Sequence, residues 1–311
     1  MTEPSYIRLY RTGELARRIE KALAMMELCL LCPRRCGVNR LKGETGFCQT
    51  GRKARVASYN AHFGEEAPLV GIHGSGTIFI SSCNLLCNFC QNYEISHNKE
   101  GADVGPEQMA SMMIQLSDLG CHNINFVTPS HVVPQLLEAL PFAIEKGMKV
   151  PLVYNSGGYD SVETLKLSEG VFDIYMPDFK FWDNRWAERY CNAPDYREVA
   201  LDALREMHRQ VGELVTDDGG IAVTGLLVRH LVMPKEIAGS EKFFEFLAKE
   251  ISPHTYVNVM DQYRPCGSAQ KDEFIHRRLE MGEYRDAIDA ARKAGLKRLD
   301  PRERARFVFG V

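Results

Sequence analysis

The chain has 311 residues, 45% of them hydrophobic and 25% charged, with a formal net charge of −3. A chain of that length buries a large core without disulfide staples, and the composition excludes fibrous and low-complexity proteins. The near-neutral charge demands no polyanionic partner, although a local basic patch leaves nucleic acid open. No apolar run reaches the roughly 18 residues of a membrane span. The start, Met1-Thr2-Glu3-Pro4-Ser5, has no basic region followed by an apolar stretch, so a cytoplasmic protein with no membrane partner is expected.

In chain order, residues 13–27 read as a helix with Leu15, Ile19, Ala22, Leu23 and Met26 on one face. A cysteine- and arginine-rich segment with little periodicity runs from Cys29 to about Arg55. Residues 54–80 read as short strands with turns, and Glu65 and Glu66 fall in what reads as a solvated turn. Short β-branched runs then alternate with amphipathic helices. The predicted strands are Thr77–Ser81, Asn123–Thr128, Val150–Asn155, Phe172–Met176, Leu226–Met233 and Tyr256–Met260, and the predicted helices are 107–119, 132–147, 161–169, 195–212 and 240–251. Strands separated by helices argue for parallel β/α units. An open doubly wound sheet and a partial barrel fit the pattern equally well, and both place function at the C-terminal ends of the strands. The charge-rich tail, 270–311, reads as a solvated helical cap.

The informative count is cysteine. There are 10, and seven lie between Cys29 and Cys90. Clustered cysteines in a chain this long point to metal or redox chemistry more than to a disulfide framework. Cys83, Cys87 and Cys90 follow the first β/α strand with C-x3-C-x2-C spacing. Three thiolates are one too few for a closed tetrahedral zinc site or a fully ligated [4Fe-4S] cluster, and an open coordination position is what a catalytic metal needs. The bland reading is a zinc site completed by His97 or His122. Upstream, Cys29, Cys32, Cys36 and Cys48 form C-x2-C-x3-C-x11-C. Four thiolates can close a site around structural zinc or an auxiliary iron–sulfur cluster, and the sequence does not choose between them. Arg34, Arg35, Arg40, Lys42, Arg52, Lys53 and Arg55 surround this knuckle. They read either as solvated charges or as a surface for RNA or an acidic protein. Cys121, Cys191 and Cys266 are scattered singles. Cys121 reads as core, and Cys266 is near enough to the last strand to reach the open face.

Other strand ends carry polar groups. Asp178 and Lys180 alternate onto one face of the fourth strand with Phe179 opposite, either as a buried ion pair or as a ligand grip. Arg229 interrupts an apolar strand and points inward or lies at an edge. His230, on the other face, reads as a packing histidine.

C-x3-C-x2-C with Phe89 in the aromatic position resembles the signature of the radical S-adenosylmethionine superfamily. The phrases Gly74-Ser75-Gly76-Thr77-Ile78-Phe79, Cys90-Gln91-Asn92-Tyr93, Asp178-Phe179-Lys180 and Arg229-His230-Leu231-Val232-Met233-Pro234 are similar to relatives of pyruvate formate-lyase activating enzymes. The resemblance runs from about Cys29 to about Pro265. It implies an α/β fold: a partial (β/α)6 barrel of parallel strands over residues 61–265, after an N-terminal helix and four-cysteine knuckle (1–60) and before a C-terminal helical extension (266–311). It implies that Cys83, Cys87 and Cys90 hold a [4Fe-4S] cluster whose open iron takes S-adenosylmethionine. Phe89, Thr128, Asp178, Lys180 and Arg229 would then hold that cofactor, and Asn155, in Asn155-Ser156-Gly157-Gly158 at the end of the third strand, either approaches its ribose or carboxylate or sits in a plain β/α turn. The family's Gly-Gly-Glu phrase is missing, and Asn123–His131 stands in its place. Thr128 and the backbone near Pro129 are expected to take over its contact, helped by Ser130 or His131, with a helix cap as the bland reading of Ser130.

The resemblance further implies a flavodoxin or ferredoxin as electron donor. As substrate it implies a glycyl radical enzyme, with another protein or an RNA as the alternative. Arg306-Phe307-Val308-Phe309-Gly310 is only a loose echo of a glycyl radical phrase, so the chain is not expected to carry that radical itself. The rival from another class is a non-enzymatic iron–sulfur or zinc adaptor.

Overall fold

A computed structural model describes residues 3–301. The glycyl-like phrase at 306–310 lies outside them. Among the described residues ten strands form the sheet: β1 Ala54–His62, β2 Ser75–Ile80, β3 Ala102–Val104, β4 Ile124–Val127, β5 Leu152–Ser156, β6 Ile174–Phe179, β7 Val215–Thr216, β8 Ala222–Leu231, β9 Tyr256–Met260 and β10 Arg298–Leu299. The main path is β10-β9-β8-β6-β5-β4-β2-β1-β3. Neighbours β2, β4, β5, β6, β8 and β9 pair parallel, and these are the six strands predicted from the sequence. Their spatial order follows chain order without reversal. A doubly wound sheet needs a reversal at its switch point, so the architecture is the partial barrel. β1 closes one edge antiparallel to β2, and β3 pairs with β1.

The helices between strands match the expected ones in place, including Pro106–Asp118, Val133–Glu145 and Tyr196–Val211. Tyr196–Val211 buries Tyr196, Ala200, Ala203, Leu204 and Met207 against the sheet, as a 3.6-residue period requires. Asn184–Cys191 is an additional helix that the sequence reading lacked. It is short, charged on most of its surface and lies in the β6–β8 connection. No helix among the described residues is long and apolar enough to cross a membrane.

The tail departs from a solvated cap. Met281–Lys293 buries Tyr284, Ala287, Ile288 and Ala291, and β10 extends the parallel sheet beside β9. A seventh β/α unit therefore continues past residue 266. The boundary at 60 also falls inside β1. At the N-terminus, helix Ser5–Arg11 sits beneath the barrel. Its Tyr6 hydroxyl donates to Val150 O at 3.0 Å, and Ser5 N donates to Asp173 Oδ1 at 3.0 Å.

The barrel interior has two levels. Side chains alternate along a strand, so Val153, Ile174, Met176 and Leu227 share the inner face with Leu69 of the short helix Ala67–Val70, all fully buried. One step further along the same strands stand Asn155, Asp178 and Arg229. The lower level is a packed plug, and the upper level is polar.

Candidate active site

β2 ends at Ile80, and the loop after it carries Cys83, Cys87 and Cys90. Ser82 and Leu86 take positive φ, 72° and 53°, which curls the loop back over the strand ends. Anchors hold the curl: Asn84 Nδ2 donates to Tyr159 O at 2.7 Å and Asn88 N to Tyr190 O at 2.9 Å. Phe89 is wedged edge-on against Phe181, Tyr190 and Tyr263, with ring centroids 5.8, 6.4 and 6.1 Å away. It is first a packing residue, and its edge reaches the cavity.

A cavity of about 400 Å³ opens over the loop. Cys83, Cys87, Cys90, Phe89, Thr128, Asn155, Asp178, Lys180 and Arg229 all line it. The sequence therefore places nine residues from five parts of the chain that the fold brings to one space. Inside it, Lys180 Nζ lies 2.8 Å from Asp178 Oδ2, and Arg229 Nε donates to Asp178 Oδ1 at 2.7 Å. Arg229 Nη2 donates to Asn155 Oδ1 at 2.7 Å. Phe179 points away and stacks on Phe243 at 3.9 Å. Gly158 permits the close pass of the β5 loop over β6: its φ is 78°, and a Cβ there would fall 2.3 Å from Asp178 O.

The electrostatics follow from burial and pairing. Burial would raise the Asp178 pKa, but Arg229 and then Lys180 hold it below the usual carboxylate range. Burial would lower Lys180, and the Asp178 charge more than offsets this, keeping the ammonium protonated. Burial pushes the Cys83 thiol up to about 12. The contact with Cys191, with burial, holds Cys87 well above the ordinary thiol. A metal taken up here has to displace those protons.

Several sequence readings change. Glu65 and Glu66 are not in a solvated turn; they are 9% and 2% exposed and line the cavity. The segment after β1 leaves the sheet edge and reaches across the barrel. Arg229 Nη1 contacts Glu65 Oε2 at 3.4 Å, and Asn258 Nδ2 donates to Glu66 Oε1 at 2.6 Å. Ser130 and His131 are buried but do not line the cavity. Ser130 is no cap either, since helix Val133–Glu145 begins after Val132. It lies instead against Tyr154 and Asp160. His97 stacks on Tyr93 and His122 sits by His73, and neither lines the cavity.

Cys191 is not a scattered single. Its sulfur lies 3.2 Å from that of Cys87, placed there by the end of helix Asn184–Cys191. No local spacing signals a contact between residues so far apart in the chain. His62, Asn258, Met260 and Gln262 are further lining residues that the sequence reading did not single out.

No family model matches the chain. Over 287 residues it is 34% identical to Uncharacterized protein MJ0674 of Methanocaldococcus jannaschii, covering 90% of this chain and 78% of that one. The chain belongs to that protein's family. Among solved structures it is similar to HydG, a maturase of the [FeFe]-hydrogenase, at a TM-score of 0.48 and 13% identity over 70% of this chain and 49% of HydG. This chain thus spans about half the length of HydG. It is also similar to anSMEcpe with bound AdoMet, at a TM-score of 0.45 and 13% identity over 70% of this chain and 61% of that one. Methylornithine synthase (PylB) aligns at a TM-score of 0.43 and 15% identity over 72% of this chain and 70% of that one.

In this member of the family the upstream knuckle lies beside the cysteine loop. Cys29 N donates to Val38 O at 2.9 Å and Gly37 N to Cys29 O at 3.1 Å. Phe47 N donates to Cys36 Sγ at 3.4 Å. A Cβ on Gly46 would fall 2.6 Å from Cys36 Sγ, so only glycine fits there. Burial pushes Cys32 up to about 12, with repulsion from Cys48, Cys29 and Cys36 adding to it. Two of the surrounding arginines are clamps. Arg34 stacks on Phe47 at 3.9 Å and donates to Asn84 O and Cys191 O at 2.8 and 2.9 Å. Arg40, 1% exposed, donates to Gly51 O and to His131 O. Cys121 is buried, as expected.

Among the described residues no set of three or more His, Cys, Asp or Glu side chains is closed around an ion-sized point. By donor chemistry, the three-cysteine loop fits an iron–sulfur cluster, which takes thiolates. The sulfur-only knuckle fits zinc or iron–sulfur.

Proposed function

We propose that the chain is a radical S-adenosylmethionine enzyme. The observation that carries this reading is the cavity itself: three thiols on the loop after the first parallel strand share it with the Lys180 ammonium, the Arg229 guanidinium and the Asp178 carboxylate from the strands beyond. Cys83, Cys87 and Cys90 would hold the [4Fe-4S] cluster. When bound there, the cluster would supply one-electron reductive cleavage of S-adenosylmethionine and with it the means of hydrogen-atom abstraction.

The chain's own residues bind and orient. Arg229 and Lys180, fixed by Asp178, present donors suited to the cofactor's carboxylate. Thr128 and Asn155 add polar contacts, and the aromatic wall at Phe89 stiffens the loop and limits water. A flavodoxin or ferredoxin is the proposed electron donor. The resemblance to pyruvate formate-lyase activating enzymes makes a glycyl radical enzyme the first candidate substrate, ahead of another protein or an RNA.

The test is anaerobic incubation of reconstituted protein with S-adenosylmethionine and dithionite. The reading expects 5′-deoxyadenosine from the wild type and none from Cys87→Ala. Intact S-adenosylmethionine in both would refute it. A glycyl EPR signal on a co-purified partner would support the first substrate, and its absence with every encoded partner would remove it.

A further inference from the structure

The charges lining the cavity do not balance. Glu65, Glu66 and Asp178 are three carboxylates, and Lys180 and Arg229 are two cations. Asp178 takes both cations at 2.7–2.8 Å, and Glu65 shares Arg229 at 3.4 Å. Glu66 makes no contact ion pair of its own among the described residues, although it lies near enough to Arg229 to help hold that guanidinium charged. Its Oε1 accepts from Asn258 at 2.6 Å, and its Oε2 is fully buried with no hydrogen-bond partner. His62, pushed down by burial, adds no compensating charge at neutral pH. A buried carboxylate oxygen without a partner is costly, and Glu66 is among the residues that line the cavity. The bound cofactors do not remove the excess. A cluster with its three thiolates would be net negative and S-adenosylmethionine at most singly positive, so the bound groups would leave the carboxylate excess in place.

We propose that Glu66 receives a cationic group of the substrate, a primary ammonium or a guanidinium, with Asn258 holding the carboxylate in place. The proposal rests on the radical reading for what the cavity does to that substrate. Glu66 sits on the segment that crosses the barrel, apart from the strand-end pair Asp178–Lys180 that faces the cysteine loop. The substrate is thereby selected by charge as well as by shape, because a neutral isostere leaves the carboxylate unpaired.

The experiment uses reconstituted protein loaded with S-adenosylmethionine and titrates n-butylamine and 1-butanol by ligand-observed NMR. Saturable binding of the amine and not the alcohol is expected. Glu66→Gln is expected to weaken the amine by about tenfold or more and to leave S-adenosylmethionine affinity unchanged. Glu66→Asp, which keeps the charge, is expected to retain selectivity for the amine. Equal binding of the two probes by the wild type overturns the proposal without needing any variant to fold. So does amine binding that Glu66→Gln does not change. Loss of S-adenosylmethionine affinity in Glu66→Gln also overturns it, since the carboxylate would then serve the cofactor's own amino group. Amine binding that depends on Glu66 in a protein that never binds S-adenosylmethionine would uphold the cation site and remove the radical reading.

Discussion

The lower and upper levels of the barrel interior are built on the same strands and differ by one step of the pleat. On β6, Ile174 and Met176 give way to Asp178; on β8, Leu227 gives way to Arg229; on β5, Val153 gives way to Asn155. The lower residues are dry and pack on Leu69. The upper ones hold charges that would be ruinous in the plug and are tolerable only because they pair. The lesson is a division of labour along a strand: the N-terminal half supplies stability and the C-terminal end supplies chemistry.

Paired substitutions on β6 test that division most severely. Asp178→Ala strands Arg229 and Lys180 without their shared carboxylate. It is expected to destabilise by about 3–5 kcal/mol and to lose S-adenosylmethionine affinity. Met176→Ala, two residues earlier, is expected to destabilise by about 2–5 kcal/mol through a cavity while affinity holds. Urea unfolding and equilibrium dialysis on both variants separate the two. Lost affinity in Met176→Ala would erase the division.

The sequence made the upper level largely legible. Alternation placed Asp178 and Lys180 together and Phe179 opposite, and loop spacing picked out the three cysteines. What it could not show depends on non-local contact. Glu65 and Glu66 beside Gly64 look like any acidic turn, because nothing local says that the segment crosses to β8 and β9. Cys191 has no periodic partner, and only helix Asn184–Cys191 brings it to Cys87. β10 is two residues long, too short for any alternation to register.

Cys191 sharpens the picture at the cysteine loop. A thiol donating to the Cys87 sulfur favours the more negative, reduced form of a bound cluster. Cys191→Ala is therefore expected to lower the cluster's midpoint potential, by an effect on the order of 1 kcal/mol, in an EPR-monitored redox titration. An unchanged potential would show that the contact carries no hydrogen bond to the cluster ligand.

A separate effect, on stability alone, lies on the outer face of β8. Burial pushes His230 down to about 4 from 6.5. As pH falls below 6.5 the unfolded chain binds a proton there that the folded chain refuses. Stability drops until about pH 4 and then levels, by about 1.4 kcal/mol per pH unit for this group. His230→Asn lacks this linkage, so its stability gap from the wild type should narrow steadily over that window. A gap that stays constant would mean that His230 is charged in the fold.

The central claim is that the cysteine loop holds an iron–sulfur cluster above a packed plug. Iron, sulfide and zinc per chain, measured on protein purified and reconstituted without oxygen, tests it most directly. The account predicts about four irons with matching sulfide, together with either about one zinc or about four further irons at the knuckle. Zinc alone, with no iron retained, would contradict it and leave a zinc adaptor in its place.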